Sequence, residues 1–211
     1  MTQTNDTKFI VLETTDGGGK DTQAKAIIKF LESIGIKATF QHNPTDPETS
    51  IGSIIRSVLQ GKTECSLYEL QRLFTLDRDI QTEKIKELLK DSWVICARHK
   101  YSTIAYGMAT RKIHPENMSE EQLAKLIELN SQFLHADLTI ILDVPAEISM
   151  QRIDNRGEEK ELFDKIDFQR AVRESYLELH KQDSTTVLVS NGTIEEVSNR
   201  IFDIIKNKYL S

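Results

Sequence analysis

Residues 13–22 read ETTDGGGKDT, directly after the apolar run FIVL (Phe9 to Leu12) and directly before a stretch of helical periodicity. Glycines and a lysine at a strand-to-helix junction suit one chemistry above others. The glycines let backbone N–H groups converge on phosphate oxygens at the positive end of a helix, and the lysine reaches the outer phosphates. The usual pattern is G-x-x-x-x-G-K-[ST]; here the eight positions are Thr14, Thr15, Asp16, Gly17, Gly18, Gly19, Lys20 and Asp21. Asp16 to Asp21, with Thr22, are the candidates for holding a phosphate donor, and a plain flexible turn is the competing reading. Two positions depart from the pattern. Thr14 replaces the first glycine, which strains the loop if that position needs a positive φ. Asp21 replaces the serine or threonine that meets magnesium. Its carboxylate is a hard ligand suited to Mg²⁺ but also brings negative charge toward phosphates, and only the metal reconciles the two. Thr22 offers a hydroxyl if the helix starts slightly later, so Asp21 and Thr22 are the metal candidates.

The elements that must position such a loop are legible as alternating strands and helices. Strand runs are expected at Phe9 to Leu12, Ala38 to Gln41, Trp93 to Cys96, Leu138 to Val144 and Thr186 to Val189. Between them, residues 22–35 place Ala26, Ile27, Phe30, Leu31 and Ile34 on one helical face and stop at Gly35. Ser66 to Leu89 is the longest periodic segment, and Ser119 with Gln122 forms a capping-box pattern. Parallel strands with crossover helices on both faces give a doubly wound five-stranded α/β fold of the P-loop NTPase type. No repeat or linker divides the chain, so one domain over residues 1–211 is expected.

The totals fit an ordinary globular chain: 211 residues, 38% hydrophobic, 28% charged, mean hydropathy −0.40. A net charge of −6 argues against nucleic acid or an anionic membrane as partner. No apolar run approaches the roughly 20 residues a membrane helix requires, and MTQTNDTK lacks the basic-then-apolar layout of a secretory signal. Cys65 and Cys96 have no metal-type spacing and read as small core residues. A cytoplasmic location is expected.

Further along come HNPT…IGSIIR, LFTLDR, VICARHKYSTIAYG, ADLTIILDVPAE, an arginine-bearing segment and VRESYLEL. In that order, after the phosphate loop, they resemble thymidylate kinases, which move the γ-phosphate of ATP to dTMP. The resemblance covers nearly the whole chain. It implies that Phe74 stacks on the thymine ring with Arg78 one turn away, although Phe74 as core and Arg78 as a solvated charge is the alternative. It implies that Arg98 holds the acceptor phosphate, while Ser102, Thr103 and Tyr106 read the base edge and the deoxyribose. A phosphate loop without an arginine goes, in this family, with a catalytic arginine in a lid at about 152–166; Arg152 and Arg156 are the candidates, against a charged helix with i,i+4 pairs. Lys20 and Arg98 complete the candidate catalytic set. The turn Ser190 to Thr193 is expected beside adenine. Mg²⁺ and a homodimer packed through the apolar faces of residues 66–89 and 119–134 are also implied.

Three positions depart from the family. His42 stands for an arginine, which weakens a phosphate contact or makes it pH-dependent. Ala97 stands for the aspartate of D-R-[YH], and Gly107 for a frequent glutamine that bears on base choice. The expected activity is thymidylate kinase; the alternatives are a catalytically impaired homologue that binds nucleotide as a sensor or regulator, and a kinase for another nucleoside monophosphate.

Overall fold

The computed structural model describes residues 6–155, 157 and 161–210. Five strands, β1 (Phe9–Glu13), β2 (Ala38–His42), β3 (Trp93–Ala97), β4 (Leu138–Asp143) and β5 (Thr186–Ser190), form one sheet in the order β2-β3-β1-β4-β5. Every pairing is parallel. Each expected run lies in a strand, and four of them extend one residue further. The fourth stops one residue sooner, at Asp143, because Pro145 follows, fixing its own φ and restricting Val144 before it.

The helices are α1 (Lys20–Ser33), α2 (Ser50–Leu59), α3 (Leu67–Leu88), α4 (Lys100–Ile113), α5 (Glu120–Ser131), α6 (Ala146–Asp154), α7 (Ile166–Gln182) and α8 (Ile194–Ile205). Ser66 and Ser119 each close a capping box, with Glu69 and Gln122. Strand alternation then sorts the core into two layers. Ile10 and Leu12 of β1 join Ile95, Ile140 and Leu142 under Ala24, Ile27 and Leu31 of α1 and Val197, Ile201 and Ile205 of α8. Phe9 and Val11 point the other way, with Val94 and Cys96, onto Ile85 of α3. Residues of α2, α4 and α7 extend that second layer. Each fully buried Leu or Ile contributes about 1.5–3 kcal/mol, and a one-residue slip of β1 would turn its apolar residues off their layers. Ile34, expected on the buried face of the first helix, is exposed at its C-cap; the buried line is Ala24, Ile27 and Leu31.

The sheet is therefore covered on both faces. Because β1 is the central strand, the loop after it opens at the middle of the carboxyl edge, where open α/β sheets bind ligands.

Candidate functional site

β1 ends at Glu13, and the chain bends through residues 14–19 into α1. Gly17 (φ 74°) and Gly19 (φ 87°) occupy the left-handed region. A Cβ on Gly17 would also lie 2.3 Å from the Ser149 carbonyl oxygen. Gly19 is the N-cap of α1, without a side-chain cap, so the first-turn N–H groups are left to meet an anion. That cap starts the helix at Lys20, earlier than the apolar periodicity alone suggests. Thr14 brings no strain, since Arg98 is the one non-glycine residue with positive φ among the described residues. Its hydroxyl donates to the Leu142 carbonyl at 2.9 Å, and its side chain fills the space over Gly18, where a Cβ would fall 2.1 Å from Thr14 Oγ1. The middle glycine is what makes room for the threonine.

A cavity of about 320 Å³ opens beside the loop. The loop and α1 give it Asp16, Lys20 and Asp21, and the end of β2 gives His42. Phe74 and Arg78 enter from α3, while Arg98, Ser102, Thr103 and Tyr106 enter from the β3-to-α4 bend and α4. Arg98 is the centre of this wall. Its Nη1 donates to Ser102 Oγ at 3.0 Å and Tyr176 Oη at 3.2 Å, and its Nη2 to Asp16 Oδ1 at 2.6 Å and Tyr106 Oη at 2.9 Å. Burial disfavours its charge, but Tyr106, Asp16, Tyr176 and Glu13 outweigh burial and hold its pKa well above the ordinary value. Burial likewise pushes Asp16 up, and Arg98 and Lys20 more than reverse it, bringing the carboxyl down to about 2. Burial and then Arg98 lower the Lys20 ammonium, which lies 3.1 Å from Asp21 Oδ2. Asp21 is itself lowered, because Lys20 overcomes the cost of burial. A cationic pair with partly neutralising carboxylates can hold two phosphate groups close together.

Arg78 is only 1% exposed, which removes the solvated-charge reading. It donates to Asn130 Oδ1 at 2.5 Å and to Thr103 Oγ1 at 3.2 and 3.3 Å, and its guanidinium lies 5.6 Å from the Phe133 ring centroid. Burial lowers its pKa to about 10. Arg78 Nε and Gln71 Nε2 are buried without a partner, and both residues line the cavity with Phe74. A flat ligand bearing carbonyl oxygens would satisfy them. Phe74 is partly buried, packed on the core behind while facing the cavity. His42 lies 3.1 Å from Asp46 Oδ1 and stacks on Phe40. Gly107 does not line this cavity; a Cβ there would meet Leu123 of α5 at 3.1 Å, so the position serves helix packing.

On the far side of the loop lies a second cavity of about 260 Å³. Gly17, Gly18, Gly19 and Thr22 face it, opposite Ser190, Asn191, Gly192 and Thr193. Arg152 belongs here rather than beside Lys20: it reaches the Gly17 carbonyl at 3.4 Å and Asn191 Oδ1 at 3.3 Å. Arg156 lies outside the described residues.

Among the described residues no cluster of three or more His, Cys, Asp or Glu could hold a metal unaided. Mg²⁺ makes no such demand, since it binds through one or two carboxylates, phosphate oxygens and water. Asp21, half-buried beside Lys20 and lining the first cavity, fits that pattern. Ala97 is fully buried and offers no second carboxylate. Four polar residues went unassigned in the sequence. Gln71 falls three residues before Phe74 and seven before Arg78, a helical-face spacing that could have marked it. Glu13, Tyr176 and Gln169 meet only in three dimensions, around Arg98 and Asp16.

The thymidylate kinase family pattern matches residues 12–201. A probable thymidylate kinase of Methanocaldococcus jannaschii is 35% identical over 203 residues, covering 96% of this chain and 97% of its own. One from Pyrococcus horikoshii is 35% identical over 211 residues, with 96% and 97% covered. The solved thymidylate kinase structure from Candida albicans superposes with a TM-score of 0.78 at 29% identity, covering 95% of this chain and 92% of that one.

Proposed function

The chain belongs to the thymidylate kinase family, and we propose that it transfers the γ-phosphoryl group of ATP to dTMP, giving dTDP and ADP. The observation that carries this is the pair of cavities meeting at one phosphate loop, the first lined by Lys20, Arg98, Phe74 and Arg78 and the second by the Ser190 to Thr193 turn. ATP lies with its base in the second cavity and its phosphates over Gly17 to Gly19. Lys20 bridges the β and γ oxygens. The acceptor stacks on Phe74, turns its carbonyl edge to Arg78 and Thr103, and presents its phosphate to Arg98. A phosphate oxygen of dTMP then forms a bond to the γ phosphorus as the bond to the β–γ bridging oxygen breaks. Little covalent chemistry falls to the protein; it aligns the two phosphates and neutralises their charge. Asp21 would hold Mg²⁺, which would supply charge neutralisation for the donor phosphates; Thr22 is the second candidate.

Arg152, against the Gly17 carbonyl, covers the donor, and Arg156 is the second candidate for neutralising charge on the transferred group. The chain acts as one kinase domain. It works as a cytoplasmic homodimer: Leu76 and Ile80 of α3, Ile54 of α2 and Ile127 of α5 are large exposed hydrophobics that a second copy can cover. Both cysteines are free, and no helix among the described residues is long and apolar enough to cross a membrane. ADP release measured with dTMP, dUMP, dCMP, dAMP and dGMP tests the assignment. The highest kcat/KM belongs to dTMP; no turnover with any acceptor overturns the reading.

A further inference from the structure

Arg98 is unusual in backbone as well as in side chain. At φ 67° it is held in the left-handed region that non-glycine residues rarely adopt, so something must fix it there. Its N–H donates to the Leu12 carbonyl at 2.8 Å, and the next N–H, of His99, donates to Glu13 Oε1 at 2.9 Å. Glu13 is fully buried at the end of β1. Its other oxygen, Oε2, accepts from Ser102 Oγ at 2.5 Å and from Tyr176 Oη at 3.2 Å. Those are the two hydroxyls that face Arg98 Nη1.

A hydroxyl has one proton, and a guanidinium can only donate. Ser102 and Tyr176 must therefore accept from Arg98, and their own protons must point elsewhere. The two hydroxyls lie 2.8 Å apart, so one proton can pass between them, but the pair still needs an acceptor beyond itself, and Glu13 Oε2, within reach of both, is that acceptor. Asp16 does the same for the opposite edge, accepting the Tyr106 proton at 2.6 Å while Tyr106 accepts from Nη2. The two edges differ in access. Asp16 and Tyr106 both line the first cavity, whereas on the Nη1 edge only Ser102 does, and Glu13 and Tyr176 do not. We infer that Glu13 is a positioning residue for the acceptor phosphate: through Ser102 and Tyr176 it anchors Nη1 of Arg98, leaving the Nη2 edge to exchange Asp16 and Tyr106 for phosphate oxygens. An amide at this position cannot do the same. With its oxygen toward the hydroxyls, its NH₂ meets the His99 N–H; reversed, the NH₂ donates to the hydroxyls and turns their protons toward Arg98.

This inference rests on Arg98 being the acceptor-phosphate arginine. The test compares dTMP with thymidine, which shares the base and sugar but lacks the phosphate, by calorimetric titration of wild type, Glu13→Gln and Tyr176→Phe. Tyr176→Phe removes only a hydroxyl and so decides the matter if Glu13→Gln fails to fold. The expected losses in dTMP affinity are about tenfold for Glu13→Gln and about fivefold for Tyr176→Phe, following the strength of hydrogen bonds to charged groups. Thymidine affinity and the KM for ATP stay within about twofold, which a general loosening of the site would not produce. Parallel weakening of dTMP and thymidine, or unchanged dTMP affinity in both variants, overturns the positioning role while leaving the kinase reading intact. Wild type that binds thymidine as tightly as dTMP removes the phosphate role of Arg98, and this inference falls with it.

Discussion

Replacing Arg98 with lysine keeps the positive charge and removes the planar fork, so it separates geometry from charge. In the free protein the guanidinium makes four hydrogen bonds, from Nη1 to Ser102 and Tyr176 and from Nη2 to Asp16 and Tyr106. An ammonium has three donors converging on one point and cannot serve both edges. It keeps the contacts with Asp16 and Tyr106 and abandons the hydroxyls of Ser102 and Tyr176, at about 1 kcal/mol each, or about 2 kcal/mol of stability. For a chain of this size that lowers Tm by about 4–8 °C. The kinetic effect is larger, because without the anchored Nη1 edge the remaining donors no longer hold the acceptor phosphate in line. One such donor is worth about 2.7–4 kcal/mol in the transition state, so kcat/KM for dTMP falls about 10²- to 10³-fold. A coupled assay of ADP release, with ATP and dTMP varied separately, reads both terms, and KM for ATP moves little. Arg98→Lys with kcat/KM for dTMP within about threefold of wild type would refute the claim that the fork, rather than the charge, does the aligning.

Asp21→Ala lowers kcat about 30-fold or more in the same assay, while Ala97→Asp leaves it within about threefold, because Asp21 already supplies a carboxylate; a tenfold gain in Ala97→Asp would show instead that the missing group limits the enzyme. Gly18→Ala collides with Thr14, so it lowers Tm and raises the KM for ATP, and adding Thr14→Gly relieves most of both effects; additive losses in the double variant would contradict the packing account. The Asp16 carboxyl, lowered from 3.8 to about 2 in the folded protein, contributes stability that is present above about pH 4 and lost as pH falls toward 2. Acid unfolding monitored by circular dichroism is accordingly less steep between pH 4 and 2 in Asp16→Asn, and an unchanged slope would remove Asp16 from the linkage.

Much of the fold was legible because it rests on local pattern. Five apolar β-branched runs separated by long helical periods leave little choice but a buried parallel sheet, and the glycine-lysine loop announces its own ligand. Phe74, Arg78, Arg98, Ser102 and Tyr106 entered through the family resemblance, and the structure brings them to one cavity. The Thr14 substitution read as a defect, since nothing in a linear string says that Gly18 lies under it. Glu13 read as the first residue of the loop after the strand, and its partners His99, Ser102 and Tyr176 lie on α7 and at the start of α4. Arg152 was one of two candidates for the catalytic arginine of the lid, and the turn of α6 carries it to the Gly17 carbonyl and Asn191. Side-chain direction at a helix end depends on how that helix packs, which periodicity does not report.

The most direct test follows the phosphoryl group itself. The protein is incubated with ATP labelled at the γ phosphorus, Mg²⁺ and dTMP, and the nucleotides are separated. Label appearing in dTDP, in step with ADP formation and only when dTMP is present, is the predicted result. Label that stays in ATP, or leaves as inorganic phosphate while dTMP remains unmodified, would contradict the account.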